Sequence, residues 1–200
     1  MKIPFRYPDN PCLTLSSELY RIDNQETGKW VAQFKHDGWR RPIYISDGEI
    51  NYFSKHDFQA KDLPPEKLQA EVKALKFPDG TAFDAEWMGK RATALLGGRH
   101  YLILFDLLYF AGQWQGNLPY HERYAALQTL IVRHKAQAKV ETPNVVLEPI
   151  CELGFLAMFE RSKKMPLTEG IVLKGKDSKL KGNLLKSAEN GYWLKCKWRQ

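Results

Sequence analysis

Trp30-Val31-Ala32-Gln33-Phe34-Lys35-His36-Asp37-Gly38-Trp39-Arg40 reads as an apolar-polar strand that runs into a lysine, an aspartate, a turn glycine and an arginine. A strand of this kind delivers all four into one small volume. A lysine amine in that setting is a candidate covalent nucleophile rather than a surface charge. An unperturbed lysine, with a pKa near 10.4, is neutral only about once in 2,500 at pH 7. An attacking amine therefore needs its pKa lowered, and neighbouring cations and partial burial do that. The order K-x-D-G-x-R fixes four positions and arises by chance about once in several hundred chains of this length. Alone it suggests a chemistry; it does not decide one.

Two hundred residues accommodate one large domain or two small ones, and 44% hydrophobic content suffices for a core. No apolar run approaches the roughly 18–20 residues of a membrane span, so no membrane partner is expected. Met1-Lys2-Ile3-Pro4-Phe5 has neither the apolar stretch nor the cleavage site of a secretory signal. Cys12, Cys151 and Cys196 are widely spaced with no C-x-x-C pair, which argues against zinc or a disulfide framework. Three ordinary thiols suit a reducing, cytoplasmic setting. The net charge of +7 is compatible with nucleic acid, because each cation at a phosphate releases counterions and adds salt-dependent affinity.

Along the chain, residues 1–18 read as an irregular lead-in. Residues 20–53 alternate apolar and polar and break at Thr27-Gly28, Asp37-Gly38 and Asp47-Gly48, as antiparallel strands joined by turns do. Leu63-Pro64-Pro65-Glu66 opens a helix with Leu68, Val72 and Leu75 at helical spacing. A strand is expected over residues 81–88. Residues 101–110 form a buried central strand with the single acid Asp106 inside it. Pro119 opens the longest helix, to about residue 138. Then come a short strand at 145–147, a helix over 153–163, and strands at 171–174 and 193–197 separated by a polar loop, 175–191. This order predicts an α+β fold, largely antiparallel sheets flanked by helices, in one domain spanning residues 1–200.

The lysine segment resembles the nucleophile motif of the covalent nucleotidyltransferases: ATP-dependent DNA ligases, RNA ligases and mRNA capping enzymes. The resemblance continues in order along almost the whole chain. Asp84-Ala85-Glu86 is similar to the family's D-G-E strand and Phe105-Asp106-Leu107-Leu108 to its F-D-L strand. Glu169-Gly170-Ile171-Val172-Leu173-Lys174 is similar to its E-G-hydrophobic-K strand, and Trp193-Leu194-Lys195-Cys196-Lys197 to its final W-L-K-x-K strand. Five ordered matches on expected strands make chance implausible. The DNA-ligase branch fits best, because Phe105 to Phe110 followed by Leu118-Pro119-Tyr120-His121-Glu122-Arg123 looks like that version of the region.

The resemblance implies roles residue by residue. Lys35 would attack the α-phosphorus of ATP to give a lysyl-AMP, then pass AMP to the 5′-phosphate of nicked DNA. Asp37 and Arg40 would position the nucleophile and the ribose or 5′-phosphate. Phe105 would stack on adenine. Gln33 stands where DNA ligases often carry a glutamate that accepts from the adenine amino group. Lys174, Lys195 and Lys197 would bind phosphates, and the last two, two apart on a strand, share a face. Glu86 and Glu169 would hold ribose and Mg²⁺, or Mn²⁺, as hard oxygen ligands. His36, His56, His100, His121 and His134 lack metal-ligand spacing and are read as non-catalytic. An RNA ligase is the first alternative, a capping guanylyltransferase ranks lower, and a non-catalytic nucleotide-binding module is the reading from another class.

Three departures stand out. Ala85 replaces the usual glycine, and an altered backbone approach to the nucleotide is expected. Lys55, after Ser54, replaces an arginine and cannot make its bidentate fork on ribose or phosphate. Lys197 is three residues from Gln200, whereas the family usually continues into an OB-fold with a final basic motif. A monomer is expected, and either the chain is a minimal or truncated nucleotidyltransferase domain or a separate protein or domain supplies the missing part. Only 34 residues precede Lys35, which leaves no nicotinamide-binding segment and favours ATP over NAD.

Overall fold

The structure, a computed structural model, describes residues 5–54, 60–89, 95–184 and 188–198. In chain order the first half runs β1 (Asn10–Thr14), α1 (Ser16–Gln25), β2 (Trp30–His36), β3 (Trp39–Arg40), β4 (Ile43–Ser46), β5 (Glu49–Tyr52) and α2 (Glu66–Ala74). The second runs β6 (Ala82–Met88), β7 (Tyr101–Phe110), β8 (Gln113–Trp114), α3 (Tyr120–Gln137), β9 (Val145–Leu147), α4 (Phe155–Ser162), β10 (Thr168–Gly175) and β11 (Glu189–Lys197). A four-stranded sheet has the order β1-β11-β10-β2. A seven-stranded sheet has the order β5-β4-β6-β7-β8, with β3 on β6 and β9 on β7. All pairings are antiparallel except β1 with β11 and β7 with β9. The fold is the expected α+β arrangement.

Each sheet buries one apolar layer under helices. Leu68 and Val72 of α2 and Leu127, Leu130 and Ile131 of α3 pack on Phe83, Ala85, Leu102 and Leu104. Leu19 and Ile22 of α1 and Phe155, Met158 and Phe159 of α4 pack on Ala32, Ile171 and Leu173. A third cluster joins the sheets, with Val31 and Trp193 from one against Ala82, Leu108 and Tyr109 from the other. Local chemistry sets the ends. Asp47 and Gly48, at φ 55° and 71°, form the two-residue turn between β4 and β5 that right-handed strand twist favours. The Asp23 carboxylate of α1 accepts from the first two N–H groups of α4, Phe155 and Leu156, both at 2.9 Å. No helix among the described residues is long and apolar enough to cross a membrane.

The beginning of the chain differs from its sequence reading. Residues 10–14 are a strand and residues 16–25 a helix, not a lead-in followed by a strand from residue 20. The strand was hidden because its partner is β11, with Asn10 opposite Glu189 and Thr14 opposite Cys196. The helix was hidden because only Leu19 and Ile22 are buried while Tyr20 is 64% exposed. Two buried residues are too few to separate helical from alternating spacing. β11 also begins at Glu189, inside the expected loop.

Candidate active site

A cavity of about 430 Å³ opens where β2 and its turn face β6, β7, β10 and β11. Gln33, Lys35, Asp37, Arg40, Glu86, Phe105, Glu169, Lys174, Lys195 and Lys197 all line it. Lys55 lies outside the described residues, so the expectation for it is neither met nor refused here.

The centre of the cavity is made by a defect in β10. Thr168 pairs with His36 and Gly170 with Lys35, so Glu169 is an extra residue on that strand. A bulge re-aims the side chain it carries, and here Glu169 turns into the cavity. Lys35 Nζ donates to one of its carboxylate oxygens, and Lys197 Nζ donates to the other at 2.6 Å. Burial works against the Glu169 carboxylate, but the bonds from Lys197 and Lys35 outweigh it and hold the carboxyl below its usual range. Gly170 is required beside it: its φ is +145°, and a Cβ there would lie 1.9 Å from the Cys196 carbonyl oxygen.

Opposite stands β6. The Gly38 N–H donates to Glu86 Oε1 at 3.2 Å, and a Cβ on Gly38 would meet Met88 Sδ at 2.5 Å and the Trp87 carbonyl oxygen at 2.9 Å. The turn glycine is what lets the strand that carries Lys35 lie this close to Glu86. Asp84, one strand period away, is fully buried and takes a two-point bond from Arg40, at 2.9 and 2.6 Å. Arg40 also donates to the Asp9 carbonyl at 2.8 Å and to Asn10 Oδ1. Its guanidinium thus ties β3 to β6 and to the N-terminal segment. Ala85 points the other way, into the hydrophobic core with Phe83 and Trp87. Its methyl is packed away from the cavity, so the departure from glycine does not alter the wall.

Burial lifts the Glu86 carboxyl from near 4.5 to about 7, against the pull of Lys35, Arg40 and His36. Between those two values the folded chain keeps a proton that the unfolded chain has released, so stability falls as pH rises through the window. Above it, a partly desolvated carboxylate is carried at a cost. Glu86→Gln is therefore expected to stabilise the nucleotide-free protein at pH 8 by about 1–2 kcal/mol, and much less at pH 5. Thermal melts at the two pH values check this; an equal change at both would contradict it.

Lys174 occupies a setting unlike an open phosphate ligand. It is 2% exposed, its Nζ donates to the Phe105 carbonyl at 3.3 Å, and it lies 4.4, 4.5 and 5.0 Å from the ring centres of Trp193, Tyr120 and Phe105. Burial pulls its pKa down to about 8, opposed by Asp106 and Asp84. Three rings and a backbone carbonyl thus surround the ammonium where it meets the cavity wall. Lys195 and Lys197 do share the cavity face of β11, as alternation requires. His100, His121 and His134 are satisfied by Trp87 or by backbone carbonyls, as non-catalytic histidines would be. His36 lines the cavity and bonds Glu148, a residue that no motif contains. Its one sequence cue is an acid at the end of the short apolar run Val145-Val146-Leu147.

No family model matches the chain. The chain is similar to the SPbeta prophage-derived DNA ligase-like protein LigB of Bacillus subtilis (strain 168), 26% identical over 186 residues, covering 83% of this chain and 60% of LigB. The structure of mycobacterial DNA ligase D complexed with ATP and MES matches with a TM-score of 0.69 at 20% identity, over 99% of this chain and 62% of that one. The ATP-dependent DNA ligase from bacteriophage T7 complexed with ATP matches at 0.60 and 16%, over 96% and 69%. The chain thus spans about 60% of the length of LigB and of the mycobacterial ligase chain. These likenesses establish the fold: it is that of the nucleotidyltransferase domain of ATP-dependent DNA ligases.

Proposed function

We propose that residues 1–200 are the nucleotidyltransferase domain of an ATP-dependent DNA ligase, with Lys35 as the covalent nucleophile. The observation that carries this reading is the sharing of Glu169 between Lys35 and Lys197 on the wall of a cavity that also presents Phe105 and Gln33. Attack needs the lone pair of the Lys35 amine, so its bond to Glu169 opens when the triphosphate enters. The Lys35 nitrogen then bonds the α-phosphorus, the bond to the β-phosphate oxygen breaks, and pyrophosphate leaves with that electron pair. The amine loses a proton and a phosphoramidate remains. Lys197 and Lys195 face the phosphate charge that develops meanwhile.

In the second step an oxygen of a DNA 5′-phosphate attacks the same phosphorus, the P–N bond breaks, and Lys35 regains its proton. In the third, the neighbouring 3′-hydroxyl attacks the activated 5′-phosphate, loses its proton, and AMP departs. Mg²⁺ or Mn²⁺ would be held by Glu169 and Glu86 and would offset charge on the phosphate oxygens. Among the described residues no three acids, histidines or cysteines converge as a metal cluster. One or two carboxylates plus substrate phosphates are the usual holders of such an ion, so the donor set fits.

The test uses ATP labelled at its α-phosphate. Covalent label mapping to Lys35, then chased onto nicked DNA, is the expected result. Label that moves only to nicked RNA would make the chain an RNA ligase, and label from GTP in preference to ATP would make it a capping-type enzyme. No label from either nucleotide, with nucleotide still bound, would reduce it to a binding module.

A further inference from the structure

Glu148 sits behind the cavity wall and bonds Gln33, Phe34 and His36 of the strand that carries Lys35. It follows β9, and its N–H donates to the Leu104 carbonyl at 2.9 Å, next to Phe105 on β7. Its carboxylate reaches the other sheet. One oxygen accepts the Phe34 N–H at 3.1 Å, and the other lies 2.7 Å from His36 Nε2. β2 is the last strand of its sheet, so its outer N–H groups need partners. Glu148 supplies one and Cys151 another, exchanging bonds of 2.8 Å with Ala32 in both directions. Residues 148–151 are therefore a strap along the free edge of the strand that carries Lys35.

The backbone carbonyl of Glu148 does something different. It accepts from Gln33 Nε2 at 3.1 Å and from the Tyr124 hydroxyl at 2.8 Å. A carbonyl oxygen can only accept, so the Gln33 amide must turn its nitrogen toward Glu148. Its amide oxygen has no partner among the described residues, and Gln33 lines the cavity. What the wall offers a base is thus an acceptor with its orientation fixed. A free glutamine flips and serves either a donor or an acceptor; this one cannot flip without setting its oxygen against the Glu148 carbonyl oxygen.

We propose that Glu148 is the positioning residue of this site, fixing β2 with its carboxylate and the Gln33 amide with its carbonyl, so that the cavity takes a purine with a 6-amino group and rejects a 6-oxo purine. The inference rests on the nucleotide-binding reading above and adds a cause for its specificity. A 6-amino group donates to the Gln33 oxygen. A 6-oxo group sets acceptor against acceptor and leaves both unpaired, the kind of mismatch a polar pocket discriminates against strongly.

ATP and inosine triphosphate differ at this edge of the base and nowhere else, so their dissociation constants isolate it. Calorimetric titration is expected to show ATP binding at least about tenfold tighter than inosine triphosphate. Gln33→Leu should bring the two within about threefold, because the oriented acceptor is gone. Glu148→Ala should also lower the ratio several-fold. Glu148→Gln keeps an acceptor for the Phe34 N–H and should hold the ratio within about twofold of the parent, a rescue that general damage to the fold would not give. Circular dichroism on each variant confirms folding, and if Glu148→Ala fails to fold, the Gln33→Leu and Glu148→Gln ratios still decide. A parent ratio near one overturns the proposal. So does a Gln33→Leu or folded Glu148→Ala protein that keeps the parent ratio, or a Glu148→Gln protein that loses it. If the parent binds neither nucleotide, the nucleotide reading itself falls and this inference with it; covalent label on Lys35 with a flat ratio sinks the inference alone.

Discussion

Lys35→Ala is expected to form no covalent AMP adduct at any time or ATP concentration, a loss of at least about a thousandfold against the parent, because the group that forms the bond is gone. Noncovalent ATP binding should survive within about threefold. The substitution removes a cation that approaches the triphosphate, but it also releases one oxygen of Glu169 that Lys35 occupies in the nucleotide-free protein. Lys197→Ala should behave differently. It leaves the nucleophile in place and strips charge support from the α-phosphate, so it should slow adduct formation by about ten- to a hundredfold without abolishing it. Intact-mass measurement over a single-turnover time course separates the two. An adduct that persists in Lys35→Ala would show that another amine is the nucleophile, and Lys174, with its pKa near 8, would be the first to examine.

What the sequence made legible was what local chemistry dictates. The run from Tyr101 to Phe110 is too apolar to be anything but a central strand, and Pro119 marks the start of α3 because its ring suits the first turn of a helix. The cavity residues were legible for a related reason. Each sits in a short strand or turn where spacing constrains which face it takes, so Lys195 and Lys197 could be paired on paper. The rest depended on contacts far apart in the chain. Nothing near Asn10 announces that it will pair beside Glu189, and so Arg40, whose order in the motif was plain, could not be seen to end on Asp9 and Asn10. Lys174 was expected at a phosphate, and the rings that cage it come from β7, α3 and β11, which no local pattern announces. Glu148 lay outside every motif because its work is done across two sheets, on partners 44 to 115 positions away for Leu104 and Gln33 respectively as counted along the sequence.

Asp106→Ala is expected to cost about 3–5 kcal/mol, because it leaves a buried guanidinium without its counter-charge. From the sequence, Asp106 was the single acid inside an apolar strand. In the structure it accepts the Leu107 N–H at 2.9 Å, and Arg123 of α3 grips both its oxygens at 2.9 Å, with both side chains fully buried. Arg123 also donates from Nη1 to the Leu118 and Ser178 carbonyls, at 2.6 and 3.0 Å, and is itself fully buried, so it is not free to swing into solvent when Asp106 is lost. Removing one partner is far worse than removing both, since an apolar pair of similar volume has no charge to strand. Asp106→Leu with Arg123→Met should therefore recover a large part of the stability that Asp106→Ala loses, while the carbonyls of Leu118 and Ser178, left unpaired, keep the recovery incomplete. Urea denaturation of the parent, the single and the double variant measures all three. A cost for Asp106→Ala below about 1 kcal/mol would mean that Arg123 finds another partner or water, and that the pair does not lock α3 to β7. The lock matters to the site because Asp106 adjoins Phe105 and its charge favours the ammonium of Lys174. Losing it should loosen the ring against which a base would stack, so ATP affinity should fall in Asp106→Ala and return in part in the double variant.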